Sequence, residues 1–109
     1  MPDIGPMSVG AFAKRFGVSA EDIKRWGPRG ILPELQQGGG KGNHRILDLP
    51  LIELMRLTHR LHQNGFPLKM AADIARAALA DGADCPVVRL ADPTVGILVD
   101  LAWLREPAA

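Results

Sequence analysis

Val9-Gly-Ala-Phe-Ala-Lys-Arg-Phe-Gly-Val-Ser-Ala-Glu-Asp-Ile-Lys-Arg-Trp26, followed by Gly30-Ile-Leu-Pro33, is the stretch that decides the fold. It reads as two short helices joined by a tight turn. Phe12, Ala13 and Phe16 give the first helix an apolar face, and Gly17 is the residue type that stops a helix in the left-handed conformation. Val18 fills the turn. Ser19 has the chemistry of an N-cap, and Glu21 and Asp22 follow it in the first turn, where negative charge suits the helix dipole. Ile23 and Trp26 fall on one face of the second helix and are expected to pack back onto the first, with Trp26 in the core. A helix–turn–helix of this kind is suited to offering its second helix to a DNA groove.

Downstream, Glu34-Leu-Gln-Gln37 and His44-Arg-Ile-Leu47 flank the glycine-rich run Gly38-Gly-Gly-Lys-Gly-Asn43. Two short extended arms around such a tip predict a β-hairpin, in the place where a wing follows a helix–turn–helix. The run lacks the Gly-Lys-Ser/Thr of a phosphate-cradling loop. Asp48 is positioned to cap a third helix reaching to about Asn64, with Leu51, Leu54, Met55, Leu57 and Leu61 at helical spacing. Gly65 ends it, and Pro67 opens a fourth helix through about Leu79 with a small-residue face of Ala71, Ala72, Ala75 and Ala78. Beyond Asp81-Gly-Ala-Asp84 the pattern changes: Pro86–Leu90 and Val95–Val99 are short, β-branched runs that predict a second hairpin, and Asp100 can cap a last helical turn over Leu101–Arg105. The chain thus divides into a disordered segment 1–7, a DNA-binding domain 8–80 and a β-rich tail 81–109.

The 109 residues suit one modest core, and their net charge is only +1. The charge is unevenly spread. From Ser8 to Ile46 seven basic residues stand against three acidic, a balance of +4; from Asp81 onward two basic stand against five acidic, a balance of −3. One end is fitted to a polyanion and the other is not. No apolar run is long enough to cross a bilayer, and the N-terminus has no signal-like apolar region, so a cytoplasmic, nucleoid-associated protein is expected. Cys85 is the single cysteine, which excludes an internal disulfide, and it is expected to be partly buried. His59 and His62 stand three apart without an evident third ligand, so they are read as surface histidines beside Arg56 and Arg60, and neither metal nor cofactor is expected. No nucleophile–base or acid–base pair emerges, and no catalysis is predicted.

With the hairpin and the later helices in place, the order of elements resembles the winged-helix DNA-binding domain of the MerR family, in a short form without an effector domain. The matching residues are Val9-Gly10, Ala13-Lys-Arg, Gly17-Val-Ser19, Ile23-Lys24, Gly30-Ile-Leu-Pro33, the glycine-rich wing ending at Arg45, and Leu61 before Gly65-Phe-Pro-Leu68. They cover about Ser8 to Ala80. The family's Arg-Tyr-Tyr-Glu-like run is here Lys24-Arg-Trp-Gly27, so Gly27-Pro28 is expected to end the second helix early. The family's long dimerisation helix is not seen after the fourth helix. The resemblance implies a mainly α fold with small β elements: four helices, a hairpin wing and a short hairpin/helix tail.

The expected roles follow. Lys24 and Arg25 face away from Ile23 and can meet a phosphate or guanine O6/N7, with Arg29 just beyond. Ser19 can donate to a phosphate as well as cap, and Glu21 can accept from cytosine N4 or simply stabilise the dipole. Lys14 and Arg15 are placed for backbone phosphates, and Lys41, Asn43, His44 and Arg45 form the wing group for a flanking groove. Val87, Val88, Ile97, Val99, Trp103 and Leu104 exceed what a small hairpin buries, and either cover the fourth helix or form a dimer interface. The partner expected is double-stranded DNA, bound by a homodimer acting as a transcription regulator, with no membrane and no small-molecule effector in evidence. Two other readings stay open on this fold: a phage or mobile-element architectural or packaging protein, such as an excisionase or terminase small subunit, and a protein-interaction adaptor.

Overall fold

The computed structural model of the chain describes residues 6–36, 46–90 and 94–102. In chain order these form β1 (Met7–Ser8), α1 (Val9–Phe16), α2 (Ala20–Trp26), a 3-10 turn (Pro33–Gln36), β2 (Ile46–Leu47), α3 (Leu49–Gln63), α4 (Leu68–Asp81), β3 (Val87–Arg89) and β4 (Gly96–Leu98). Four helices with small antiparallel β pairings make a mainly α, winged helix–turn–helix architecture.

The helix ends are set by local chemistry. Ser8 Oγ accepts from Ala11 N at 3.1 Å to start α1, and Gly17 closes it at φ 71°, a conformation that costs a residue with a Cβ. Ser19 Oγ accepts from Asp22 N at 3.4 Å to start α2. At the far end of α2 the Trp26 carbonyl accepts from both Ile31 N (3.0 Å) and Leu32 N (3.1 Å), so the chain folds back after Gly27-Pro28 as the sequence predicts. Asp48 Oδ1 caps α3 through Leu51 N at 3.1 Å, with Pro50 harmless in the first turn.

The core draws on every element. Phe12, Ile23, Leu32, Leu47, Ile52, Met55 and Leu101 are fully buried, and Trp26 closes the α1–α2 pair. Ala71, Ala72, Ala75 and Ala78 are solvent-free and let α4 lie close against α3.

Three sequence expectations are corrected. Glu34-Leu-Gln-Gln37 is not a strand among the described residues: Pro33–Gln36 coils into the 3-10 turn, with Leu35 N bonded to Leu32 O at 3.0 Å. Pro33 has a fixed φ and no N–H to give a ladder, and Glu34 is drawn toward α4. Ile46–Leu47 pairs instead with Met7–Ser8, Met7 opposite Leu47, so Met7 leaves the segment expected to be disordered. Of the tail residues read as covering the fourth helix or forming a dimer interface, Val88 and Val99 turn inward. They are buried in the core of the protomer, together with the wholly buried Leu101, so the tail covers its own helices. Cys85 is exposed, its Sγ 3.9 Å from Asp100 Oδ1. The second hairpin itself forms as predicted, Val87 opposite Leu98 and Arg89 opposite Gly96.

The α4–turn contact has no counterpart in the sequence pattern. Arg76 on α4 donates through Nε and Nη2 to the two Glu34 carboxylate oxygens, at 3.1 and 2.8 Å, and through Nη2 to Ile31 O at 3.1 Å. The hydrogen bonds from Arg76, outweighing the opposing effect of burial, hold the Glu34 carboxyl below its ordinary value of 4.5. A carboxyl whose pKa is lowered on folding adds stability that is complete above the unfolded-state value and lost as pH falls through the folded-state value. Arg76→Gln is therefore expected to cost on the order of 1 kcal/mol near neutral pH, both groups being about a third exposed and screened. Urea denaturation of both proteins should show that difference shrinking as pH falls below 4.5. A difference independent of pH would dismiss the ion pair as its source.

Candidate nucleic-acid interface

The outward face of α2 carries Glu21, Asp22, Lys24 and Arg25, because burying Ile23 and Trp26 turns these four outward. Each base is paired to an acid one turn back: Lys24 Nζ lies 3.6 Å from Glu21 Oε1, and Arg25 Nη1 lies 3.6 Å from Asp22 Oδ1. Such exposed pairs contribute only about 0.2–0.5 kcal/mol each, so a phosphate can displace the carboxylate at little cost. In the sequence the two acids read as first-turn charges suiting the helix dipole, with Glu21 also a readout candidate, although the i, i+3 spacing made their pairing legible.

Beside α2 lies an open cleft of about 300 Å³, walled by Ser19, Asp22, Arg25, Trp26 and Arg29 on one side and by His59, His62 and Leu68 on the other. The end of α3 and the start of α4 thus stand next to the second helix of the helix–turn–helix. His62 is held by a 2.9 Å contact between Nδ1 and Phe66 O. His59 Nε2 is buried with no hydrogen-bond partner among the described residues. Burial, followed by the neighbouring His62 and Arg60, lowers the His59 pKa, which favours its neutral form.

His59 also borders a second, shallow depression formed with Phe16, Arg56, Arg60 and Gln63. There the Arg56 guanidinium lies 4.7 Å from the centre of the Phe16 ring, and Arg15 lies 5.7 Å from the same ring. Arg56 is only 7% exposed, and its pKa is lowered by burial first and then by the charges of Arg15 and Arg60. The Glu53 carboxylate acts in the opposite sense, as a counter-charge to Arg56. The last turn of α1 and the second half of α3 form one basic surface. In the sequence Arg56 and Arg60 stand out only as neighbours of the histidines, yet 56, 59, 60 and 63 share a helix face by spacing alone.

Of the residues predicted for DNA, the structure brings Ser19, Arg25 and Arg29 to the cleft, puts Lys24 and Glu21 on the exposed face of α2, and puts Arg15 against Phe16 near Arg56. Lys14 is exposed in the last turn of α1. The wing group Lys41, Asn43, His44 and Arg45 lies outside the described residues, as do Trp103 and Leu104. Among the described residues no group of three or more His, Cys, Asp or Glu could hold a metal ion, and no helix is long and apolar enough to cross a membrane.

A family model described as the MerR HTH family regulatory protein matches residues 7–78, which is most of the chain. Comparison with curated proteins and with solved structures gives no match.

Proposed function

Because the chain belongs to the MerR helix–turn–helix regulatory family, whose members are DNA-binding transcription regulators, we propose that it is a sequence-specific binder of double-stranded DNA that acts as a homodimer. Helix α2 enters the major groove with Lys24 and Arg25 forward. The phosphate strand beside it passes over the cleft that gathers Ser19, Arg29, His59 and His62. Lys14, Arg15 and the exposed Arg60 hold the backbone, with Arg56 buried beside them against Phe16, and the wing group 41–45 reaches the flanking groove. The observation that carries this reading is the convergence of basic groups from α1, α2 and α3 on the side of the protein that exposes α2.

The test is selection of bound duplexes from a random DNA library, with the enriched site titrated by fluorescence anisotropy at several salt concentrations. An enriched motif, with affinity falling steeply in salt, is the expected outcome. No enrichment, with binding indifferent to salt, would overturn the proposal in favour of a protein partner. Within the same assay Arg29→Ala, removing a phosphate contact at the cleft, should weaken enriched and random duplexes by similar factors and lower the salt slope by about one. A loss confined to the enriched sequence would instead place Arg29 on a base.

A further inference from the structure

We propose that a second copy of this chain docks along the outer edge of β4, by antiparallel strand pairing about a two-fold axis through Ile97. This locates the homodimer proposed above and rests on that part of the reading.

The backbone of the tail hairpin fixes which groups are turned outward. Leu90 N donates to Val95 O at 2.9 Å and Val99 N to Pro86 O at 3.0 Å, so Val95 and Val99 spend their hydrogen-bonding groups on the β3 side. Antiparallel pairing alternates, and Val88 opposite Ile97 completes the set. Gly96 and Leu98 therefore turn their N–H and C=O groups to the far side, where no described residue meets them. An edge of this kind is a template for another strand, and proteins usually guard one with charge or proline. Here Val95-Gly-Ile-Leu-Val99 carries neither, and Leu98 is 68% exposed.

The segment is complementary to itself. Symmetric pairing about Ile97 sets Gly96 opposite Leu98 of the second copy, and Leu98 opposite its Gly96, so four backbone hydrogen bonds close. Each Leu98 then lies over a residue with no side chain. A Cβ on Gly96 would come within 3.1 Å of Val87 Cγ1 and 3.3 Å of Val88 O, so a larger residue there would press on the hairpin, and the methylene stem of Arg89 borders the same space. Val87, 54% exposed and directly opposite Leu98 in the hairpin, continues the same apolar face behind Leu98, on the strand away from the second copy. Charge selects the direction. Antiparallel pairing keeps the two Asp100 carboxylates at opposite ends of the shared sheet, whereas parallel pairing in register would set them side by side.

A pairing this short buries well below the roughly 1,200–2,000 Å² of a stable interface, so association in solution is expected to depend on concentration. Two half-sites on one duplex would complete it. Sedimentation velocity of the full chain, from about 5 μM to about 500 μM, should show a monomer–dimer equilibrium in that range. Leu98→Pro removes an outward N–H that the hairpin does not use, and Leu98→Lys keeps the backbone but charges the edge. Each should move the dissociation constant at least tenfold toward monomer while the helical circular dichroism is kept. In a Cys85→Ser background, Ile97→Cys should form a symmetric disulfide on mild oxidation, because residues on the two-fold of a non-hydrogen-bonded pair lie within disulfide reach.

A chain that stays monomeric throughout, free and on DNA, overturns the proposal. So does a dimer that tolerates both Leu98 variants and whose Ile97→Cys form yields no cross-link, which would place the interface elsewhere. The DNA reading fails separately: these readouts need no DNA, and a dimer formed through β4 that enriches no duplex would uphold the pairing while overturning DNA binding.

Discussion

Replacing Lys24 and Arg25 together with alanine is expected to weaken binding to the selected duplex by roughly thirty-fold to twenty-thousand-fold, at two contacts worth about 1–3 kcal/mol each. The fold should be untouched. Both side chains are exposed, alanine is the best helix former, and the buried contacts of α2 come from Ile23 and Trp26. What the variant loses internally is two weak ion pairs. It also strips Glu21 and Asp22 of their counter-charges and leaves two carboxylates facing phosphate, which adds to the loss. Fluorescence anisotropy at fixed salt measures the effect. Binding that survives the double replacement, with the salt slope of the parent, would remove α2 as the reading element.

The second large effect concerns stability. Leu101→Ala is expected to cost about 2–5 kcal/mol, the range for emptying a fully buried leucine site, out of a total of about 5–15 kcal/mol for a domain. Leu101 has no exposed surface, and its own N–H is tied to Asp84 O at 2.8 Å, while Val88 and Val99 are buried in the same core. The residue lies far beyond the helix–turn–helix in sequence, so this loss would show that the tail is part of the same cooperative unit. Urea denaturation followed by circular dichroism is the measurement. A cost below about 1 kcal/mol would mean that the tail is an appendage whose removal the helices hardly notice.

Much of this architecture is legible because its signals are local. Ser19, Asp48 and Gly17 mark helix ends by their own chemistry and cap them as observed, and Gly65 follows the Asn64 cap of α3 at positive φ. Trp26 and the alanines of α4 declare their burial by spacing. Sequence and structure part where distant segments meet. Nothing near Glu34 reveals that Arg76, forty-two positions on, will claim it, so a short segment between Pro33 and a glycine-rich run reads as a strand. Likewise β2 finds its partner in Met7–Ser8, well before the helix pair, because Leu47 is wholly buried and the segment after Pro33 is already committed. Val88 and Val99 look adhesive in sequence, and only the docked hairpin shows that they are consumed within the protomer. At the interface, Lys24 and Arg25 are evident from motif context, whereas the cleft with His59 and His62 depends on how α3 and α4 meet the helix–turn–helix.

The early turn after Trp26 also limits how much sequence this protein can address. Seven residues of helix span about 10 Å, and the bases of a duplex are stacked about 3.4 Å apart, so α2 can cover about three base pairs. A three-letter word recurs by chance about once in every sixty-four positions, far too often to single out one locus among the roughly 10⁶–10⁹ competing sites of a genome. On the proposed reading, with α2 in the groove, a protomer alone is a reader of short, repeated words. Its addressing power has to come from how those words are spaced and counted: by a second helix held at a fixed distance, by the wing, or by several molecules arrayed on one stretch of DNA.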